Sequence, residues 1–321
     1  MMRQSQNFRA IPAIRIGLTL IELLVVLVVL TILATVAIRA TDGVFLQSRY
    51  DASVRTLRQI DLAIVGDREI RQSDGAAIAT GFLSDIGRLP VSIASPVPGQ
   101  NLRELWDQSL WTEFLFQAYV PDPTGGIPHP DISIVCGWRG PYITFGFGQA
   151  GVLDGWGRPF EFRVPQTSGF DLAIASLGAD GLSDADNPNS VDPYSFDLVR
   201  EYRSGTDVAV YVSQQIEGGS AQPLDGVRVF VFVPRPPTQS NPTGGVVAIE
   251  TTERVGNAWV FRDVPPGRRV FRAYRNFPPQ ADPQPQYITR SALVSFSAVP
   301  DVELVFPRVP ENNGPNGNGD D

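Results

Sequence analysis

Lysine is absent from the 321 residues: all 26 basic side chains are arginine, a bias that reads as genomic codon usage. Cysteine and histidine each occur once, as Cys136 and His129. A disulfide framework, a redox pair within one chain and a zinc site of cysteines and histidines are thereby excluded. A Ser-His-Asp triad would have to use His129, which sits in Ile127-Pro128-His129-Pro130 and reads as part of a surface loop. Positive charge is also in deficit, with 34 acidic residues giving a formal net charge of −8, which argues against nucleic acid as a partner. The chemistry left is mostly that of carboxylates and of the backbone, and no enzyme is expected.

At this length the chain has room for two folded domains and a membrane element, on a prior of roughly 100–200 residues per domain. The 43% hydrophobic and 19% charged content is near the average for globular proteins, which sets aside wholesale disorder and a multi-pass membrane protein. The 30 glycines and 28 prolines imply many turns.

One long apolar run stands out. Leu18–Ile38, LTLIELLVVLVVLTILATVAI, is long enough at about 1.5 Å per residue to span the roughly 30 Å hydrocarbon core of a bilayer. Arg3, Arg9 and Arg15 precede it and no arginine lies within it, which puts the N-terminus in the cytoplasm and the bulk of the chain on the far side. An ordinary signal peptide carries its small-residue cleavage site after the apolar core; here the small residue, Gly17, comes before. Glu22 interrupts the run, and an unpaired charge there would cost several kcal/mol, so it marks a functional site. Arg39 lies 17 residues away, some 25 Å along a helix. Cleavage after Gly17 would create an amine at Leu18, and a neighbouring subunit would then offer that amine to Glu22.

Beyond the run, Leu46, Tyr50, Val54, Leu57, Ile60 and Ile64 recur at helical spacing and predict one apolar stripe of an amphipathic helix that packs on the following domain. Thr41-Asp42-Gly43 is its weak point, since glycine costs about 1 kcal/mol against alanine in a helix interior, and a bend or loosened turn is expected there. Residues 66–81 are polar and small and read as a loop leading to Phe82–Pro90. Leu102–Tyr119 fits one or two short helices with an aromatic-rich face packed into a core. Two Gly/Pro turns follow, Trp138–Tyr142 and Asp154–Phe160. Phe160–Val164 and Phe170–Ser176 then alternate as strands of a small antiparallel sheet.

The second of these strands runs into Ser176-Leu177-Gly178-Ala179-Asp180-Gly181-Leu182-Ser183-Asp184-Ala185-Asp186, with Asp192 and Asp197 farther on. Several carboxylates on one tight loop repel one another unless a hard cation or solvent intervenes. The spacing is not that of an EF-hand, so charge alone leaves a calcium site and a solvated acidic loop both open.

Gly17-Leu18-Thr19-Leu20-Ile21-Glu22-Leu23 resembles the cleavage motif of the type IV pilin and type II secretion pseudopilin superfamily, with leucine in place of the commoner phenylalanine. The resemblance implies that a prepilin peptidase cuts between Gly17 and Leu18 and methylates the new N-terminus, and that Glu22 orders subunits in a filament. The W-x-G-P-Y turn, the D-x-W-G-x-P-aromatic turn and the S-L-G-A-D-G loop ending in Asp-Ala-Asp resemble the C-terminal half of the major pseudopilin. In that family the loop binds calcium, and by matching position Asp180, Asp184 and Asp186 would supply carboxylate oxygens and Leu177 a carbonyl. The usual glycine-rich stretch is reduced here to Gly181, Leu182 and Ser183. The implied partners are other copies of the chain, the prepilin peptidase, the inner-membrane secretion platform and minor pseudopilins. The implied location is the inner membrane, single-pass, with the C-terminal domains periplasmic.

The C-terminal third has no counterpart in an ordinary major pseudopilin. Val208–Ser213, Val227–Val233, Val246–Thr251, Trp259–Val264, Arg269–Tyr274, Ser291–Phe296 and Val302–Phe306 read as seven strands of a sandwich. Phe261–Val270, with its V-P-P-G corner, resembles carboxypeptidase regulatory-like, or prealbumin-like, domains, which implies a spacer or interaction module. Phe277–Gln286 reads as an exposed proline-rich loop. The expected organisation is α+β: a leader (1–17), a transmembrane and stem helix (18–65) packed on a small antiparallel sheet in a globular domain (66–203), an all-β sandwich (204–308) and a disordered tail (309–321). The alternative to a bulk filament subunit is a minor pilin or tip subunit whose sandwich binds a partner, glycan or secreted substrate. A membrane-anchored hydrolase would need a site that the residues do not supply.

Overall fold

The computed structural model describes residues 19–67, 80–121, 129, 131–145, 150–189, 191–216, 219–238, 244–275, 286–296 and 301–307, without the side chains of residues 36–40. The expected cleavage site at Gly17 and Leu18, most of the 66–81 loop, the proline-rich stretch up to residue 285 and the tail lie outside these residues.

The chain is β-rich with few helices. Helix α1 runs Leu20–Val65 and belongs to two compact units, Met1–Ser48 and Arg49–Asp321. In the first unit the helix is apolar on every side: the large hydrophobic residues from Leu20 to Leu33 are each 48–83% exposed. Among the described residues no helix is long and apolar enough to cross a membrane. The expected span Leu18–Ile38 is described only in part. Thr41, Asp42 and Gly43, where a loosened turn was expected, are helical.

In the second unit α1 has a buried face made by Ser53, Leu57, Ile60, Ala63 and Ile64, while Val54 is 42% exposed. The expected stripe is thus corrected at one position: a serine takes the core-facing place given to valine, because its hydroxyl has an amide to satisfy there. Helix α2, Phe82–Ile86, is buried throughout. Two short 3-10 helices, Gln100–Leu105 and Gln108–Trp111, replace the first part of the expected Leu102–Tyr119 helices. Residues 112–116 form turns and bends, and the segment ends in a strand, β1 (Gln117–Tyr119), paired antiparallel with β2 (Ile134–Cys136). Strands β3 (Glu161–Arg163), β4 (Leu172–Ser176) and β5 (Leu198–Tyr202) form an antiparallel sheet in that order.

The C-terminal strands are β6 (Thr206–Gln214), β7 (Gln222–Pro223), β8 (Arg228–Arg235), β9 (Gly245–Thr251), β10 (Arg254–Val255), β11 (Ala258–Val264), β12 (Gly267–Arg275), β13 (Gln286–Val294) and β14 (Val302–Phe306). Two sheets result, one ordered β10-β11-β6-β14 with β7 added to β6, the other ordered β13-β12-β8-β9. Six of the seven expected strands appear in place; the strand expected at Ser291–Phe296 starts five residues earlier, at Gln286, in full register with β12.

Strand β8 explains how these sheets sit. Val229, Val231 and Val233 enter a core shared with Val208, Val210, Phe261, Phe271 and Leu304. Its alternate residues Phe230 and Phe232, together with Val246 and Tyr274, enter a second core with Leu57, Ile60, Phe82, Leu102, Trp111, Phe114 and Trp138. A strand buried on both faces must be apolar at every position, which is what VFVFV supplies. The expected division at 203/204 is therefore not a division between compact units: the β13-β12-β8-β9 sheet closes the core of the preceding segment as well as that of the sandwich.

Candidate functional site

Three groups of residues are candidates, and Glu22 comes first. Thr19 and Glu22 form a reciprocal pair at the start of α1: Glu22 Oε2 accepts from the Thr19 amide (2.8 Å) and hydroxyl (3.0 Å), and Thr19 Oγ1 accepts from the Glu22 amide (3.3 Å). This is a capping box, which satisfies helix N–H groups that have no partner within the helix. Glu22 thus has a local partner that sequence reasoning missed, although the T-x-x-E spacing was the signal for it. Thr31 and Thr35 donate their hydroxyls to the carbonyls of Leu27 and Thr31, each at 2.8 Å. All four polar side chains between Thr19 and Thr35 are hydrogen-bonded within their own helix.

The acidic loop is the second candidate. Asp154, buried, organises the turn before it: Oδ1 accepts from the amides of Trp156 (3.0 Å) and Arg158 (2.8 Å), and Oδ2 accepts from the Ser176 hydroxyl (2.8 Å). The Gly155 amide donates to Ser53 Oγ of α1 at 2.8 Å. A Cβ at residue 155 would lie 1.9 Å from the Arg49 carbonyl oxygen, so only glycine permits this approach. With the turn anchored on the helix, Arg158 reaches into the loop and donates to the carbonyls of Gly178 (2.7 Å) and Ala179 (3.1 Å).

Leu177 begins the loop one residue past β4. Asp180 accepts from the Leu182 amide (3.1 Å) and from Asn187 Nδ2 (2.8 Å), and these bonds hold its carboxyl below the ordinary aspartate range. Asp184 pairs with Asp197 instead: each carboxylate accepts from the other's amide at 3.1 Å. Arg163 donates to Asp197 Oδ2 at 2.6 Å, while Asp197 Oδ1 is buried without a hydrogen bond among the described residues. Asp186 is exposed. Asp180, Asp184 and Asp186 are not gathered on one point, and among the described residues no group of three or more His, Cys, Asp or Glu side chains is placed to hold a metal ion. The expected ligand set does not, as arranged, fit calcium.

The third group is where sequence reasoning went astray. His129 was expected in a surface loop; it is 1% exposed, because Phe230, Phe232 and Tyr274 of the sandwich wall it in. Its Nδ1 lies 2.5 Å from the Tyr274 hydroxyl and its Nε2 is buried without a partner among the described residues. Burial lowers its pKa to about 4, so the ring is neutral near pH 7. Beside it Arg272 forks onto both oxygens of Asp131, donates to Thr289 Oγ1 (2.7 Å) and lies 4.1 Å over the Tyr287 ring.

A second polar cluster joins α2 to the V-P-P-G corner. Arg269, 2% exposed, donates to the carbonyls of Pro265 (3.0 Å), Pro266 (2.6 Å) and Ser84 (3.0 Å). Asp85 next to it is buried against Arg139 (3.1 Å) and accepts from the Tyr142 hydroxyl (3.0 Å). Desolvation outweighs these partners and pushes the Asp85 carboxyl up to about 6. Both clusters tie the sandwich to the preceding segment.

Comparisons with protein-family models, with curated proteins and with solved structures found no match to this chain.

Proposed function

We propose that the chain is a structural subunit of a type II secretion pseudopilus, or of a closely similar type IV pilin-like filament, and that it performs no catalysis. One observation carries the reading: in the apolar part of α1 the large side chains are exposed all round, while every polar side chain from Thr19 to Thr35 is bonded within the helix. A helix surface of that kind is suited to hydrocarbon or to the packed interior of a filament, where an unsatisfied polar group would cost several kcal/mol. The same helix continues into a folded β-rich unit. Gly17 and Leu18 supply the point of cleavage, and the amine released at Leu18 gives Glu22 of a neighbouring subunit a charged partner in addition to its bonds with Thr19. The stem reading of α1, the single-pass inner-membrane location with the remainder periplasmic, and the peptidase and platform partners all follow from this assignment.

Mass spectrometry of the protein isolated from membranes tests the reading. The expected mature chain begins at N-methylated Leu18. A chain whose Gly17–Leu18 bond is intact in a cell containing an active prepilin peptidase overturns it.

A further inference from the structure

We propose that Arg158 holds the acidic loop in the role that the family resemblance gives to calcium, so that the loop folds without a metal ion. The inference stands on the loop alone and holds whether or not the chain forms filaments.

Its basis is where the positive charge sits. The two terminal guanidinium nitrogens of Arg158 donate to the carbonyl oxygens of Gly178 and Ala179, directly after Leu177, whose carbonyl the resemblance would give to the ion. The guanidinium is seated against Gly181: a Cβ there would be 2.6 Å from Cζ and from one terminal nitrogen, and the backbone has φ +71°. Position 181 favours glycine for its left-handed conformation, and the open space beside it is where the Arg158 guanidinium sits. The arginine is delivered to this seat by the Asp154 turn, whose carboxylate also binds the Arg158 amide.

Of the three aspartates that the resemblance would give to an ion, Asp180 and Asp184 already accept hydrogen bonds and Asp186 is exposed. Calcium takes six to eight oxygens at about 2.3–2.6 Å. Asp180 uses one oxygen for the Leu182 amide and the other for Asn187. Asp184, four residues on, is locked in its reciprocal pair with Asp197, and Arg163 neutralises Asp197. Asp197 Oδ1 is buried without a hydrogen bond among the described residues, and a single buried oxygen does not build that shell. An ion on this side of the loop would compete with the guanidinium for the Gly178 and Ala179 carbonyls and with the Asp197 amide for Asp184 Oδ1. The short Gly181-Leu182-Ser183 connection belongs with this arrangement, since it leaves Asp184 joined to Asp197 and not to Asp180.

The test is a thermal melt of the full chain in detergent, with excess EDTA or with millimolar calcium, for the parent and for Arg158→Met. The parent is expected to melt at the same temperature in both media, and Arg158→Met to melt lower in both, by roughly 2–8 °C. A calcium-dependent rise in the parent overturns the proposal, and so does an Arg158→Met protein as stable as its parent. Should the variant fail to fold, calorimetric titration of calcium into the parent decides: no binding heat is expected, and one-site binding overturns the inference.

Discussion

The two parts of α1 share one backbone hydrogen-bonding pattern and differ in everything else. From Leu20 to Leu33 the helix shows large apolar side chains on every side; from Arg49 to Val65 it buries one face, Ser53–Leu57–Ile60–Ile64, and leaves Val54 and Leu62 outside. Helix formation by itself therefore says nothing about surroundings. The period of the apolar residues does: a continuous run asks for an apolar environment on all sides, and a period near 3.6 asks for one neighbour. The position that broke the expected period teaches most, because Ser53 is in the core to bond the Gly155 amide, and that bond fixes the turn that delivers Arg158.

The largest expected contrast comes from truncating one apolar side chain in each part. Ile60→Ala, at a fully buried site, should destabilise the folded unit by about 2–5 kcal/mol. Leu27→Ala should leave that unit's melting temperature unchanged; an equal loss from both substitutions would erase the distinction between the two parts.

A second contrast is in pH dependence, which belongs to the folded unit and not to the apolar helix. Asp85 binds its proton more tightly folded (about 6) than unfolded (3.8), so its contribution is present at low pH and is lost as pH rises from about 4 to 6. His129 has the opposite sign: its folded value of about 4 against 6.5 gives stability present above pH 6.5 and lost as pH falls toward 4. Each is worth on the order of 3 kcal/mol, and between pH 4 and 6.5 they oppose each other. Asp85→Asn should therefore uncover a melting temperature that climbs with pH across this window, whereas the parent's profile stays nearly flat. A flat profile in Asp85→Asn would show that His129 is not held neutral by burial.

Next in size, Ser53→Ala should cost about 1–3 kcal/mol in chemical denaturation, by leaving the Gly155 amide without its acceptor. The smallest effect is expected at Gly43, where an added Cβ meets nothing within 4 Å. Gly43→Ala should raise helix stability by roughly 0.5–1 kcal/mol, read as increased helical circular dichroism on heating. A loss there would mean that the turn at Thr41–Gly43 must open.

Much of this architecture was legible in the residues, and the failures share a cause. Strands β6, β9, β11, β12 and β14 were announced by alternation between turns. Strand β13 was placed late because its start at Gln286 follows a proline-rich stretch that reads as loop. Strands β1 and β2 were missed because each is only three residues long, too short to show alternation, and the aromatic-rich segment that holds β1 reads locally as helix. His129 was misjudged because the prolines flanking it signal a turn, while the aromatic residues that bury it lie about 100 residues or more downstream. At the acidic loop the carboxylates were evident, yet the partner of each was not: charge and spacing name the acids, and only the fold shows that Arg158 holds the loop by the carbonyls of Gly178 and Ala179.

The sheet built around β8 works as a party wall. Two neighbours lean on it, and neither keeps its shape if it is taken down. Cutting the chain after residue 203 would remove Phe230, Phe232, Val246 and Tyr274 from the core that holds Phe82, Leu102, Trp111 and Phe114, and leave those four without this cover from water. Removal of the C-terminal strands, by a protease or by a shortened gene, is therefore expected to end in aggregation, so the two neighbours must be inherited, folded and turned over together.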